Sequence, residues 1–178
     1  AALYDGRLTS EVEIPPVVNL SLFSTINSQW DVMIDAQWTG WSTIQDLTFV
    51  RTDGARAGTV LASTPENFED SWKIAIGTHW RMGGGWMLRA GFAYDESPVQ
   101  MAYRTPRLPD NDRTWLTAGG QYRMANGMTL DFGAAYVWVA QGNINKNGDP
   151  PSTAANGLLS GRYSSNTVIL SGQIGMEF

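Results

Sequence analysis

Ser71-Trp72-Lys73-Ile74-Ala75-Ile76-Gly77-Thr78-His79-Trp80-Arg81 decides the fold. Trp72, Ile74, Ile76, Thr78 and Trp80 fall on one side of an extended chain. Ser71, Lys73, Ala75, Gly77, His79 and Arg81 fall on the other. A period of two with one apolar and one polar side is the signature of a strand; a helix would repeat its apolar positions every three or four residues.

The same alternation recurs on both sides of this stretch. Its apolar faces are Trp30, Val32, Ile34, Ala36 and Trp38; Trp86, Leu88, Ala90, Phe92 and Tyr94; Met128, Leu130, Phe132, Ala134, Tyr136 and Trp138; and Val168, Leu170, Gly172, Ile174 and Met176. Weaker copies are Val18, Leu20, Leu22 and Ile26, and Leu116, Ala118, Gly120 and Tyr122. The pattern predicts seven strands, over 16–27, 29–50, 69–82, 85–95, 113–124, 127–140 and 166–178, with a bend in the second near Gly40. Short turns at Asn27–Gln29, Met82–Gly85 and Ala125–Gly127 carry the Gly and Asn that tight hairpins need. Long loops at 51–68, 96–112 and 141–165 are rich in Gly, Pro, Asn, Asp and Ser.

Composition removes several function classes. The chain has 178 residues and no Cys, so disulfide frameworks, thiolate metal sites and Cys nucleophiles are excluded. A single His excludes a His-cluster metal site. A net charge of -5 leaves no basic excess to neutralise nucleic-acid phosphates. Charged residues make up 16%, below the ~25% of soluble domains, while aromatics reach 11%. No apolar run approaches the ~20 residues of a membrane helix, and no apolar secretory segment opens the chain.

Alternating strands fit either a soluble sandwich or a membrane barrel. Three features favour the barrel. Aromatics stand at the ends of the apolar faces, as girdles at the two membrane interfaces require. Strands of about ten residues match a tilted crossing of the bilayer. Turns are short on one side and loops long on the other. The expectation is an all-β, antiparallel transmembrane β-barrel, with 1–178 as a single domain. The polar faces, with Asp31, Asp35, Lys73, His79, Arg81, Arg89, Arg113, Arg123, Asp131 and Glu177, would line its lumen. An odd strand number puts the two chain ends on opposite membrane faces. It also leaves two edges that lipid cannot satisfy. The chain therefore reads as the C-terminal portion of a larger barrel.

Several segments resemble the FadL/TodX family of Gram-negative outer-membrane transporters for long-chain fatty acids and other hydrophobic compounds. The most specific is Tyr94-Asp95-Glu96-Ser97-Pro98-Val99, followed by Arg104, Pro106 and Pro109-Asp110-Asn111-Asp112-Arg113-Thr114-Trp115-Leu116. Gln37–Ser42, Phe68–Gly77 and the terminal Phe178 add to it. The resemblance implies a fourteen-stranded barrel of which these seven strands are the C-terminal half. The other half and an N-terminal plug would be the missing partners. It also implies passive uptake of a hydrophobic small molecule, no cofactor, contact with membrane lipid, and Phe178 as the signal read by the barrel-assembly machinery. Where the family has a basic residue that helps bind a carboxylate, Ser63, Thr64 and Pro65 stand here, which leaves room for a neutral hydrocarbon.

Candidate ligand contacts are the cations Lys73, Arg81, Arg89, Arg104, Arg107 and Arg113 and the apolar Trp41, Met87 and Trp115. A guanidinium fork suits a carboxylate, and a ligand pocket is mostly apolar with a few polar anchors. The competing reading is structural. Lumen cations would pair with Asp31, Asp35, Asp131 and Glu177, and Asp95, Ser97, Pro98, Pro109, Asp110, Asp112 and Arg113 would fold a loop that caps the barrel mouth. The alternative function is a general porin or structural barrel without a hydrophobic ligand. An enzyme would need His79 in a hydrolytic triad, yet no Gly-x-Ser-x-Gly elbow is present.

Overall fold

The computed structural model describes residues 6–146 and 159–176. Ten strands form two antiparallel sheets: β1 (Leu8–Thr9), β2 (Val17–Thr25), β3 (Trp30–Thr39), β4 (Asp46–Arg51), β5 (Val60–Pro65), β6 (Ser71–Gly83), β7 (Trp86–Asp95), β8 (Arg113–Arg123), β9 (Thr129–Lys146) and β10 (Leu159–Gly175). The main sheet has seven strands in the order β2-β3-β6-β7-β8-β9-β10, a meander interrupted only where β4 and β5 leave it. The second sheet is β1-β4-β5. The main sheet is not closed, because β2 and β10 end it and are not paired with each other.

Register keeps the two faces separate across the whole sheet. Trp38 pairs with Trp72, Ile74 with Tyr94, Phe92 with Leu116, and Leu116 with Tyr136 on the apolar face. Asp31 pairs with His79, His79 with Arg89, Asp95 with Arg113, and Gln121 with Asp131 on the polar face. The apolar face is the exposed one: Leu170 is 78% and Trp138 62% accessible. Among the described residues the buried hydrophobics are only Ala93, Val99, Val137 and Ile144. A soluble sandwich of this length would bury a substantial core, and an apolar surface this large is an interface with lipid or protein. The face is a barrel's outer wall.

Aromatics mark the limits of that wall. Trp30 stacks on Trp80 at 5.4 Å near the short turns, and Trp86 lies 4.8 Å from Tyr122. Trp38, Trp72, Tyr94 and Trp138 mark the loop end. Trp72 and Trp80 are about 27 Å apart along the strand, or about 20 Å along the normal at a tilt of ~40°, close to the ~25 Å apolar band of such barrels. The Gly83–Gly85 turn is held by Gly85, whose φ is +84° and whose hypothetical Cβ would lie 2.4 Å from the Arg123 carbonyl oxygen.

Three expected boundaries move. The strand expected over 29–50 ends at Thr39. Gly40 is wedged between Pro16 and Trp38, and its N–H donates to the Pro16 carbonyl at 2.9 Å. A 3-10 turn over Trp41–Thr43 then sends β4 out of the main sheet. The loop expected at 51–68 contains β5, which pairs with β4. The loop expected at 141–165 is shorter, because β9 continues to Lys146 and β10 starts at Leu159, with a register shift between Tyr163 and Ser165. Glu177 and Phe178, assigned to the lumen and to assembly, lie outside the described residues.

Candidate functional site

The concave polar face carries charge at both ends and small residues between. At the short-turn end Asp31 is fully buried. The Arg81 guanidinium donates to its carboxylate, the Thr25 hydroxyl donates at 3.0 Å, and His79 Nδ1 stands 3.6 Å away. One strand further, Arg89 pairs with Asp131 at 3.1 Å, and Gln121 Nε2 donates to both carboxylate oxygens at 2.9 and 3.1 Å. These groups need each other, since an unpaired charge behind a lipid-facing wall is costly. Above them, Ala75, Gly77, Gly91, Ala93, Gly119, Gly133 and Ala135 leave the face open. A cavity of ≈ 750 Å³ runs over this belt, bordered by Met33, His79, Arg89, Thr117 and Ile169.

The loop end is built by the segment between β7 and β8. Ser97 donates its backbone N–H to Asp112 at 3.0 Å and its hydroxyl to Asp110 at 2.8 Å. The Tyr94 hydroxyl donates to Asp112 at 2.6 Å. Arg113 ties the segment to the wall through Asp110 at 3.2 Å and Asp95 at 3.7 Å. Arg104 is only 5% exposed and is used up by carbonyls: it donates to Asp110 at 2.8 Å, Asn143 at 3.0 Å and Val99 at 3.5 Å. Beneath the segment lies a cavity of ≈ 460 Å³ lined by Trp41, Phe68, Lys73, Pro98, Val99 and Leu108 among others. Trp41 meets Phe68 edge-on at 6.1 Å. Asp70 holds this corner by accepting the Ser42 backbone N–H at 3.0 Å. The Ser42 hydroxyl and N–H keep its carboxyl below the ordinary aspartate range.

A half-shell with a lipid-facing outer wall and a loop-capped, partly apolar inner face can be compared with known proteins. The sequence profile of a family described as outer membrane protein transport protein (OMPP1/FadL/TodX) matches residues 2–178. The chain belongs to the OMPP1/FadL/TodX family. It is 32% identical over 145 residues to the long-chain fatty acid transport protein of Escherichia coli K12, covering 82% of this chain and 31% of that one. It is 29% identical to the 47 kDa outer membrane protein of Pasteurella multocida, over 86% of this chain and 35% of the relative. The chain thus spans about a third of the length of these relatives. Among solved structures, a Pseudomonas aeruginosa FadL homologue superposes with a TM-score of 0.78 at 27% identity, over 95% of this chain and 36% of that one. The Pseudomonas putida toluene transporter TodX shares the fold, with a TM-score of 0.58 at 18% identity over 96% of this chain and 37% of that chain. Like its relatives, this FadL/TodX member is an outer-membrane protein.

In this FadL/TodX chain the predicted ligand contacts separate into groups. Lys73, Trp41 and Arg113 share the loop-end cavity. Trp115 joins them from below, its ring 5.2 Å under the Lys73 ammonium. Arg81, Arg89 and Met87 stand at the short-turn end, the two arginines engaged by Asp31 and Asp131. Arg107 is exposed on the loop and Arg123 at a short turn. Asp35, expected to pair with a cation, instead accepts the Ser21 hydroxyl. Pro109 sits in the capping loop beside Asp110. Sequence reasoning missed Gln121 and Thr25, and took Asp70 only as part of the Phe68–Gly77 segment, without a role. Gln121 and Thr25 lie on the predicted polar faces, and that placement was the only signal for them.

Proposed function

We propose that this chain supplies the loop-capped wall of a passive outer-membrane pathway for hydrophobic molecules, either long-chain fatty acids or aromatic and aliphatic hydrocarbons. One observation carries the reading. The inner face pairs Arg81, Arg89 and Arg113 with carboxylates at its two ends and opens between them into cavities bordered mainly by Ala, Gly, Met and aromatic residues, with Asp35 and Lys73 as charged members of the lower one, beneath the loop-end cavity. That arrangement suits a mostly apolar ligand with few polar anchors. The names of the relatives, a fatty acid transport protein and a toluene transporter, support the same class. The ligand would be captured near the loops, pass to the inner cavities and leave through the wall. The pathway so proposed involves no bond chemistry, in keeping with relatives named as transport proteins.

The edges of β2 and β10 would be paired by an N-terminal barrel half, with a plug inside. Phe178 would be read by the barrel-assembly machinery. The test is uptake by the complete protein, expressed in an outer membrane lacking its own hydrophobe transporter. Accumulation of radiolabelled oleate or toluene above the empty strain is expected. Equal uptake, with a gain in permeability to small hydrophilic solutes instead, would replace the reading with a general porin.

A further inference from the structure

Three cavities follow one another along the inner face: the loop-end one of ≈ 460 Å³, the lower one of ≈ 290 Å³ beneath it, and the one of ≈ 750 Å³ over the charged belt. The last two meet along a single row, because Met33, Gly77, Gly91 and Thr117 border both. The register sets these four side by side across β3, β6, β7 and β8. Met33 stands opposite Gly77, Gly77 opposite Gly91, and Gly91 opposite Thr117. This row is the neck between the two cavities.

Two of the four have no side chain, so the width of the neck rests on the other two. A Cβ on Gly77 would stand 3.8 Å from Met33 Cε, and a Cβ on Gly91 would stand 2.7 Å from Thr117 Oγ1. Met33 therefore lies down over Gly77 on the neighbouring strand, and Thr117 leans over Gly91. Their freedom differs. Thr is β-branched and stiff at χ1. Met is unbranched, with three rotatable bonds and a polarizable thioether that adapts to irregular apolar surface. The neighbours of Met33 on the same face of β3 are fastened, Asp31 by Arg81 and Thr25 and Asp35 by the Ser21 hydroxyl. Half-buried Met33 is the movable side chain of the row. We propose that Met33 is a specificity-determining residue of the pathway, a movable side chain at the neck that sets the cross-section of the ligand passing between the two cavities. Lying flat over Gly77, it leaves the neck open to a linear chain, which presents the width of one methylene at a time. A rigid fused-ring ligand needs its full width at once, and the thioether obstructs it. The inference rests on the pathway reading above and adds to it the shape of ligand that passes and the residue that selects it.

The test measures initial uptake of two neutral radiolabelled hydrocarbons, linear hexadecane and three-ring phenanthrene. It uses the complete protein in an outer membrane lacking its own hydrophobe transporter. Rates are taken above the empty strain and per amount of folded, heat-modifiable barrel. Met33→Ala is expected to raise the phenanthrene-to-hexadecane ratio about fivefold or more, and Met33→Phe, stiffer and wider, to lower it by a similar factor. Ile169 lies in the same row through Ala135 and borders the belt cavity but not the lower one. Ile169→Ala removes comparable apolar bulk away from the neck and should leave the ratio within about twofold. A ratio unchanged in either Met33 variant would overturn the inference, as would a shift in Ile169→Ala as large as that in Met33→Ala. If the unaltered protein took up neither hydrocarbon faster than the empty strain, the pathway reading itself would fall and the inference with it.

Discussion

Ile76 lies at the middle of the outer wall, and its replacement by Arg tests the two-faced sheet quantitatively. It is four residues from Trp72 and four from Trp80 on β6, about 13 Å along the strand from each. At a tilt of ~40° that places it about 10 Å in depth from either aromatic marker, at the centre of the apolar band. Arg facing lipid at mid-depth costs ~2–4 kcal/mol, and near an interface only ~0–1. Ile76→Arg is therefore expected to lower the folding equilibrium constant about 30- to 1,000-fold. Ala75→Arg, one residue away, turns its charge into the lower inner cavity and should cost clearly less. The assay is reversible denaturant unfolding of the complete protein in lipid vesicles. A cost for Ala75→Arg equal to or above that of Ile76→Arg would refute the assignment of faces.

Further outcomes follow from the same geometry. Arg104→Ala removes three hydrogen bonds and strands the Val99, Asp110 and Asn143 carbonyls, at a cost of about 2 kcal/mol or more. Hydrogen exchange should rise across 96–112 while the barrel remains heat-modifiable on gels; unchanged protection would show that the loop is held otherwise. Gly85→Ala forces a side chain into a φ of +84° and against the Arg123 carbonyl, and should destabilise the protein by about 1–3 kcal/mol in the same unfolding assay. Asp70 contributes stability that is fully present above the ordinary aspartate value of 3.8, because Ser42 holds its folded pKa below that value. The contribution is lost as pH falls from about 3.8 through the lower folded value. Asp70→Asn should flatten that part of the stability–pH curve, and a curve identical to that of the unaltered protein would contradict the Ser42 contact.

How much of this was legible in the sequence depends on what each signal reports. Alternation reports which side chains meet lipid, so the seven crossings and both faces, from Val18 through Met176, could be read directly. It does not report backbone pairing. The ladders of β9 and β10 therefore run past Ala140 and begin before Asn166, where polarity no longer alternates. The end of β3 depends on Gly40 meeting Pro16, a contact between strands that no local pattern reveals. The small β1-β4-β5 sheet lies outside the aromatic limits and carries no lipid signal. At the site, residue type marked six cations as equals. Only the three-dimensional arrangement separates Arg104, enclosed by carbonyls, from Arg107 on the surface and from Lys73 over Trp115.

This chain contains no cysteine, so once any cysteine elsewhere in the complete protein is replaced, single cysteines report the two faces directly. Thr117 points toward the inner cavities and Leu116, its neighbour on β8, toward lipid. The decisive measurement is labelling of Thr117→Cys and Leu116→Cys in the complete protein, in membranes, by a water-soluble maleimide with and without a saturating hydrophobic ligand. The account predicts that Thr117→Cys reacts and is protected by the ligand, while Leu116→Cys does not react. Labelling of Leu116→Cys with a silent Thr117→Cys, or labelling of Thr117→Cys that the ligand leaves unchanged, would contradict a hydrophobic pathway along this face.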